Sequence, residues 1–142
     1  MREVRDPPRQ RWNNDAADSG TGTALAAHIA GTEAGLDGLW LNAGYADIAG
    51  VGEVTAEFFD RMIAVNLRAP FLHLAALTEH LDDGASVVVT SSTATYEDSP
   101  MATVYAATRG ALAAAARGWA APANTQRRRP HQTVSQIKVK FR

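Results

Sequence analysis

The chain has 142 residues, a hydrophobic fraction of 46% and a net charge of -1, which fits one soluble globular domain of ordinary composition. It contains no apolar run near the ~20 residues of a membrane span and no apolar signal segment at its N-terminus, so we expect a cytoplasmic protein without membrane contact. The absence of cysteine excludes disulfide bonds and thiolate metal sites.

The charges are unevenly distributed along the chain. All 15 acidic residues lie at or before Asp98, whereas eight arginines and lysines follow it. We therefore predict a basic C-terminal tail over residues 122–142, with a possible short strand at 133–139. The arginines at 127–129 can contact nucleic acid, but a solvated terminus is the simpler interpretation, so nucleic acid is not an expected partner. Residues 1–20 are polar and aperiodic, and are predicted to be irregular.

Between these ends, residues 21–121 are predicted to form one α/β domain. The predicted elements, in chain order, are a helix at 23–34, a strand at 36–41, a long helix at 55–81, a strand at 85–90, a loop at 91–100 and a helix at 101–121. Apolar strands that alternate with helices are typical of a parallel sheet. Such sheets bind ligands beyond the carboxyl ends of their strands, where polar residues follow both predicted strands.

Several side chains are assigned to structure rather than to chemistry. Thr55 is predicted to cap the long helix, and the Asp-Asp-Gly segment at 82–84 to end it. Trp40, Trp119 and the phenylalanines are interpreted as core. The histidines have no ligand spacing with one another or with carboxylates, so no metal site is predicted.

Tyr105 and Arg109 are four residues apart on a predicted helix and therefore share a face. A cation beside a phenol favours the phenolate, which is one way to make a tyrosine a proton donor or acceptor at neutral pH. The pair is common on helices and is not diagnostic alone. Ser92 lies thirteen residues before Tyr105, at the end of the valine-rich strand, so its hydroxyl is predicted to face the same crevice.

Asn66 lies between Val65 and Leu67 in an apolar part of the long helix. A buried amide in that position needs hydrogen-bond partners. Pro70 has no N–H, so the carbonyl of Asn66, four residues earlier, loses its helical partner. We predict a kink at Asn66 whose free carbonyl can hold a water molecule. A kink without further purpose is the alternative.

Together these residues resemble the motifs of the short-chain dehydrogenase/reductase family from about residue 36 to residue 119. Asn42, Ala43 and Gly44 resemble the N-A-G motif that closes the family's fourth strand beside the cofactor. The resemblance implies a Rossmann-type sheet that binds NAD or NADP, and oxidoreductase activity on alcohol or carbonyl substrates. The fold class expected on this basis is α/β, a partial Rossmann-type, doubly wound parallel sheet in three layers that lacks its first strands.

The resemblance also implies roles for individual residues. Asn66 resembles the family's helix asparagine, whose carbonyl holds a relay water, and Ser92 resembles the substrate-orienting serine. Tyr105 with Arg109 resembles the Y-x-x-x-K motif, in which the tyrosine is the general acid or base. The implied catalytic residues are therefore these four. The implied cofactor-binding residues are Asn42, Ala43, Gly44, Tyr105 and Arg109.

The sequence departs from the family pattern at three points. Arg109 stands where the family has lysine; it keeps the positive charge but releases no proton at ordinary pH. Only about forty residues precede the N-A-G strand, so we expect the strand, glycine-rich turn and helix that hold the pyrophosphate to be missing. We also expect the C-terminal substrate region to be missing. The strand at 36–41 is then expected to expose an edge.

Two functions from different classes follow. In the first, the chain is an NAD(P)-dependent oxidoreductase in which Tyr105 exchanges the proton, Ser92 holds the substrate oxygen and Asn66 anchors the water. In the second, it is a truncated, catalytically inactive relative that associates with itself through the helices at 55–81 and 101–121, which resemble the family's dimer surfaces.

Overall fold

A computed structural model describes residues 13–32, 35–121 and 136–140, the last segment as backbone only. Its helices and strands follow one another as predicted. In chain order they are α1 (Thr21–Ala30), β1 (Leu36–Leu41), α2 (Ala56–Ile63), a π-helical turn (Ala64–Arg68), α3 (Ala69–Leu77), β2 (Leu81–Thr90), α4 (Thr103–Trp119) and β3 (Gln136–Lys140). Short 3₁₀ turns lie at Val51–Glu53, Thr78–His80 and Thr93–Thr95.

The three described strands form one parallel sheet in the order β1-β2-β3. The apolar, β-branched sequence of β2 suits the central position, because a central parallel strand is covered on both sides by neighbours. The predicted α/β fold with a partial Rossmann-type sheet is confirmed. Among the described strands, β1 has a neighbour on one side only.

β2 begins four residues earlier than predicted. The register advances from the pair Leu36–Leu81 to the pair Gly38–Ser86, so β2 contains three more residues than β1 over this interval. Gly84 accommodates the bulge with a φ of +84°, a conformation that favours glycine. The prediction that residues 82–84 end the long helix was therefore wrong, because the helical segment ends at His80 and these residues bulge from the strand.

The core lies on one face of the sheet. Val87 and Val89 are fully buried there against Leu74 of α3 and Leu112 of α4. Successive residues of a strand point to opposite faces, so Trp40 lies on the other face, where 51% of its surface is exposed. The interpretation of Trp40 as core was wrong, and so was that of two phenylalanines, which are also exposed: Phe59 and Phe71.

The long predicted helix is continuous but contains a π-helical turn. It begins as expected at Thr55, whose hydroxyl oxygen accepts a hydrogen bond from the Phe58 backbone N–H at 3.1 Å. Where the sequence predicts a kink, the backbone N–H of Ala69 bonds to the carbonyl of Ala64, five residues earlier. Pro70 follows this turn at the start of α3 and has no N–H to donate to the carbonyl of Asn66.

The remaining predicted bounds differ only at the element ends. Helix α1 begins two residues earlier and ends four residues earlier than predicted, and α4 is two residues shorter at each end. The strand predicted in the basic tail is present as β3. The arginines at 127–129 and most of residues 1–20 lie outside the described residues. No described helix combines the length and the apolar character that crossing a bilayer requires.

Candidate active site

A cavity of about 190 Å³ lies beyond the carboxyl ends of β1 and β2. This is the edge of a parallel sheet at which ligands are expected. Its lining residues come from the loop after β1, from the end of β2 and from α4: Asn42, Gly44, Tyr45, Ala46, Thr90, Ser91, Tyr105 and Arg109. The structure thus brings together four residues that the sequence singled out, from segments up to 67 positions apart (Asn42 to Arg109).

Arg109 is the most constrained charged side chain of the cavity. It is only 4% exposed, and its Nη1 donates a hydrogen bond to the Thr90 carbonyl at 3.1 Å. Its Nη2 lies against Gly44, where a side-chain methyl would collide with it. Its Nε is buried and has no acceptor among the described residues. The guanidinium is therefore held in place but keeps donors that no described group uses.

Tyr105 and Arg109 share one face of α4, as their spacing predicted. The guanidinium carbon of Arg109 lies 5.3 Å from the centre of the Tyr105 ring, which is cation–π distance. The ring is half-buried at the cavity wall. Among the described residues, no hydrogen-bond partner is found for its hydroxyl. Tyr105 thus has a fixed ring and a hydroxyl that is available to a ligand.

The Tyr45 ring also lines the cavity, but its hydroxyl is committed. It donates a hydrogen bond to Asp47 Oδ2 at 2.7 Å, and Arg61 lies 4.7 Å from the ring centre. The hydrogen bond to Asp47 raises the pKa of Tyr45, and the same bond lowers the pKa of Asp47. Tyr45 is therefore bound to a carboxylate, and Tyr105 is the tyrosine of the cavity lining whose hydroxyl has no partner among the described residues.

Thr90 connects the two sides of the sheet end. Its hydroxyl accepts a hydrogen bond from Trp40 Nε1 at 2.9 Å and donates one to Asn42 Oδ1 at 2.8 Å. Its carbonyl accepts from Arg109. Thr90 thereby fixes both Asn42 and Arg109. Sequence reasoning missed it, although a hydroxyl at the end of a valine run was a usable signal.

Asn66 lies behind the cavity and is fully buried. Its side chain pairs with the backbone of Tyr45: Oδ1 accepts from the Tyr45 N–H at 2.7 Å, and Nδ2 donates to the Tyr45 carbonyl at 2.8 Å. Nδ2 also lies 3.1 Å from Thr108 Oγ1 and 3.1 Å from Met62 Sδ. The predicted need of this amide for partners is confirmed, and those partners join the loop after β1 to α4.

Ser91 and Ser92 are both buried at the end of β2, but they differ in their contacts. Ser91 lines the cavity and donates its hydroxyl proton to the Arg109 carbonyl at 2.9 Å. The Ser92 hydroxyl accepts a hydrogen bond from the Ala94 N–H at 3.2 Å and caps a 3₁₀ turn. Ser92 is thus adjacent to the cavity wall rather than part of it, and sequence reasoning missed Ser91.

A second, smaller cavity of about 120 Å³ lies between α1, β1 and α3, and Ala43 lines this one rather than the first. His73 also lines it, with its Nε2 buried and without a partner among the described residues. Burial lowers the pKa of His73, so the imidazole is neutral at neutral pH. Among the described residues, no cluster of three or more histidines or carboxylates could hold a metal ion.

Comparison with known proteins gives the class of this fold and site. A family model described as enoyl-(acyl carrier protein) reductase matches residues 4–133. The chain is 39% identical over 79 residues to the short-chain dehydrogenase/reductase FrzI of Cladobotryum, a match that covers 56% of this chain and 31% of that one. It is 38% identical over 77 residues to an uncharacterized oxidoreductase of Methylorubrum extorquens, with 54% and 31% covered.

Solved structures agree with this assignment. A short-chain dehydrogenase/reductase from Serratia marcescens superimposes with a TM-score of 0.74 at 26% identity, over 89% of this chain and 49% of that one. A blue fluorescent protein from a metagenomic library, solved with NADPH, gives 0.70 at 29% identity, over 75% and 43%. The chain belongs to the short-chain dehydrogenase/reductase family. The matched segment spans about a third of the length of the curated relatives and under half of these structures.

Proposed function

We propose that the chain supplies the acid–base chemistry and part of the nicotinamide site of an NAD(P)-dependent oxidoreductase that acts on alcohol or carbonyl substrates. The observation that carries this proposal is the Tyr105 hydroxyl, which is unpaired among the described residues at a cavity wall beside the buried guanidinium of Arg109. A protonatable group at a ligand cavity, held by a cation, is the arrangement that general acid–base chemistry needs.

The donor set of the cavity suits a nicotinamide riboside. Arg109 retains unused N–H groups, and Asn42, whose oxygen accepts from Thr90, retains its NH₂ group as a donor. Both can bond to ribose hydroxyls or to a carboxamide oxygen. The structural neighbour solved with NADPH supports the choice of cofactor. When bound, the nicotinamide supplies or accepts the hydride at the substrate carbon.

The chain's own residues handle the proton. During reduction of a carbonyl, Tyr105 donates its phenolic proton to the oxygen as the hydride reaches the carbon; during oxidation of an alcohol, the phenolate takes that proton back. Arg109 places its charge 5.3 Å from the centre of the Tyr105 ring and passes no proton on. Ser92 would hold the substrate oxygen through its hydroxyl proton, which the hydrogen bond accepted from Ala94 leaves free to donate. Asn66 would anchor the relay water through its carbonyl.

Cofactor titration tests this proposal. We expect the purified, folded chain to bind NADH or NADPH saturably at micromolar concentration, as followed by nicotinamide fluorescence. Tyr105→Phe should retain binding and lose turnover of alcohol and carbonyl panels, whereas Tyr96→Phe, which changes an exposed tyrosine, should retain both. Absence of binding at millimolar cofactor in a folded sample would refute the proposal.

A second candidate function is association through helices, and exposed apolar side chains favour it. Phe59, Phe71 and Leu72, on α2 and α3, are each 38–44% exposed. Phe71 also contacts Trp119 of α4 edge-to-face, with 4.8 Å between the ring centres. The exposed apolar side chains of α3 therefore adjoin an aromatic residue of α4. Light scattering after gel filtration tests it: a dimer that Phe71→Ser dissociates supports association, and a monomer at all concentrations excludes it.

A further inference from the structure

Several side chains around the cavity keep hydrogen-bond donors that no described acceptor uses. The Thr90 hydroxyl accepts a hydrogen bond from Trp40 and donates one to Asn42, and the Ser91 hydroxyl donates to the Arg109 carbonyl. The Tyr45 hydroxyl is bound to Asp47. Among the described groups of the lining, those that remain are the N–H groups of Arg109, the NH₂ group of Asn42 and the hydroxyl of Tyr105.

Among the described residues, Arg109 also has no acidic partner that would compensate its charge. No aspartate or glutamate belongs to the residues that line the cavity. The Arg109 residue is only 4% exposed, and its guanidinium has one carbonyl acceptor and a buried Nε without a partner among the described residues. A buried cation without a counter-charge is costly, and an anion that enters the cavity would remove that cost. The planar guanidinium matches two oxygens of one oxoanion.

We propose that this cavity binds a small oxoanion, a carboxylate or a phosphate group, through Arg109, with Asn42 and Tyr105 as further donors. Lysine cannot form the same bidentate contact, because its ammonium is a point charge. The arginine at this position thus gives the site a preference for ligands that carry a carboxylate or a phosphate. The proposal concerns the chain without cofactor and does not depend on hydride transfer, so either proposal can fail alone.

The test uses inorganic phosphate and acetate as probes, with chloride at matched ionic strength as the reference. We expect saturable, millimolar binding, measured as a rise in melting temperature and as a shift of the Arg109 Nε–H resonance. Arg109→Met should weaken binding about tenfold or more. It should remain folded, because replacing a buried unpaired charge by an apolar side chain is often neutral or stabilising. Arg117→Met, on the exposed side of the same helix, should bind as the wild type does.

Each outcome decides the proposal. Saturation by phosphate alone assigns a phosphate-bearing ligand, and saturation by acetate alone assigns a carboxylate-bearing one. A response equal to that of chloride overturns the proposal, as does binding that persists in Arg109→Met. If Arg109→Met fails to fold, the Nε–H resonance of the wild type and the affinity of Arg109→Lys decide instead. An unmoved resonance, or undiminished affinity with lysine, overturns the proposal.

Discussion

Asn66→Ala is the substitution that most directly tests the contacts behind the cavity. The amide makes three hydrogen bonds to nitrogen or oxygen partners, two to the Tyr45 backbone and one to Thr108 Oγ1. At ~1 kcal/mol net for each bond, their loss costs ~3 kcal/mol. Truncation at a fully buried position also leaves a small cavity, which adds ~1 kcal/mol. We expect the free energy of unfolding to fall by ~3–5 kcal/mol.

Urea denaturation followed by far-ultraviolet circular dichroism measures this loss. The midpoint should fall while the slope with urea concentration stays the same, because the change is one of stability rather than of compactness. Asn13→Ala is the matched control, since Asn13 is exposed and should change stability by less than ~0.5 kcal/mol. A loss below ~1 kcal/mol for Asn66→Ala would refute the argument that its three bonds hold the loop.

A double-mutant cycle with Thr108→Val separates one bond from the rest. Valine keeps the shape of threonine and removes the hydroxyl that accepts from Asn66 and donates to the Tyr105 carbonyl. The coupling energy between the two positions should be ~0.5–1.5 kcal/mol. Strict additivity of the two single changes would show that the 3.1 Å contact contributes nothing.

Three further predictions concern the sheet end, the glycine beside the guanidinium and the buried histidine. Thr90→Val removes two side-chain hydrogen bonds and should lower the free energy of unfolding, measured in urea, by ~1–3 kcal/mol. Thr90→Ser keeps the hydroxyl and should lower it less. Equal losses for the two variants would contradict a role for the hydroxyl. Gly44→Ala places a methyl group against Arg109 and should cost ~1–3 kcal/mol and weaken phosphate binding; unchanged values for both would contradict this contact. His73 has a pKa below its ordinary value, so the unfolded chain binds the proton first and stability falls as the pH drops below ~6.5. The unfolding free energy of the wild type minus that of His73→Leu should therefore decrease as the pH falls from about 7.5 to 5. A constant difference would show that the pKa of His73 is the same in the folded and unfolded chains.

The sequence was sufficient to predict the order of the elements and four of the eight residues that line the cavity. The valine run of β2 and the four-residue spacing of Tyr105 and Arg109 depend only on local periodicity, so both could be predicted. Asn42 could be placed because parallel strands end at one edge of the sheet. Each of these inferences needed at most one neighbouring element.

The contacts that the sequence did not predict depend on more than one element. The roles of Ser91 and Ser92 depend on the residue at which β2 ends, and a shift of one residue exchanges the faces to which they point. Thr90 bonds to Trp40 because of the register in which β1 and β2 pair. The bulge at Gly84 shifts that register by three residues. Trp40 is exposed because the core lies on the other face, and no local pattern contains that information.

The π-helical turn has a consequence for insertions and deletions. A ring closed between Ala69 and Ala64 contains one residue more than an α-helical ring, and α-helix continues on either side of it. Deleting one residue from Ala64–Arg68 would therefore leave an ordinary α-helix whose two ends still bury Met62 and Leu74. The amide of Asn66 would no longer reach Tyr45. A homologous chain one residue shorter in this turn is thus expected to keep the fold and to lose the anchor behind the cavity.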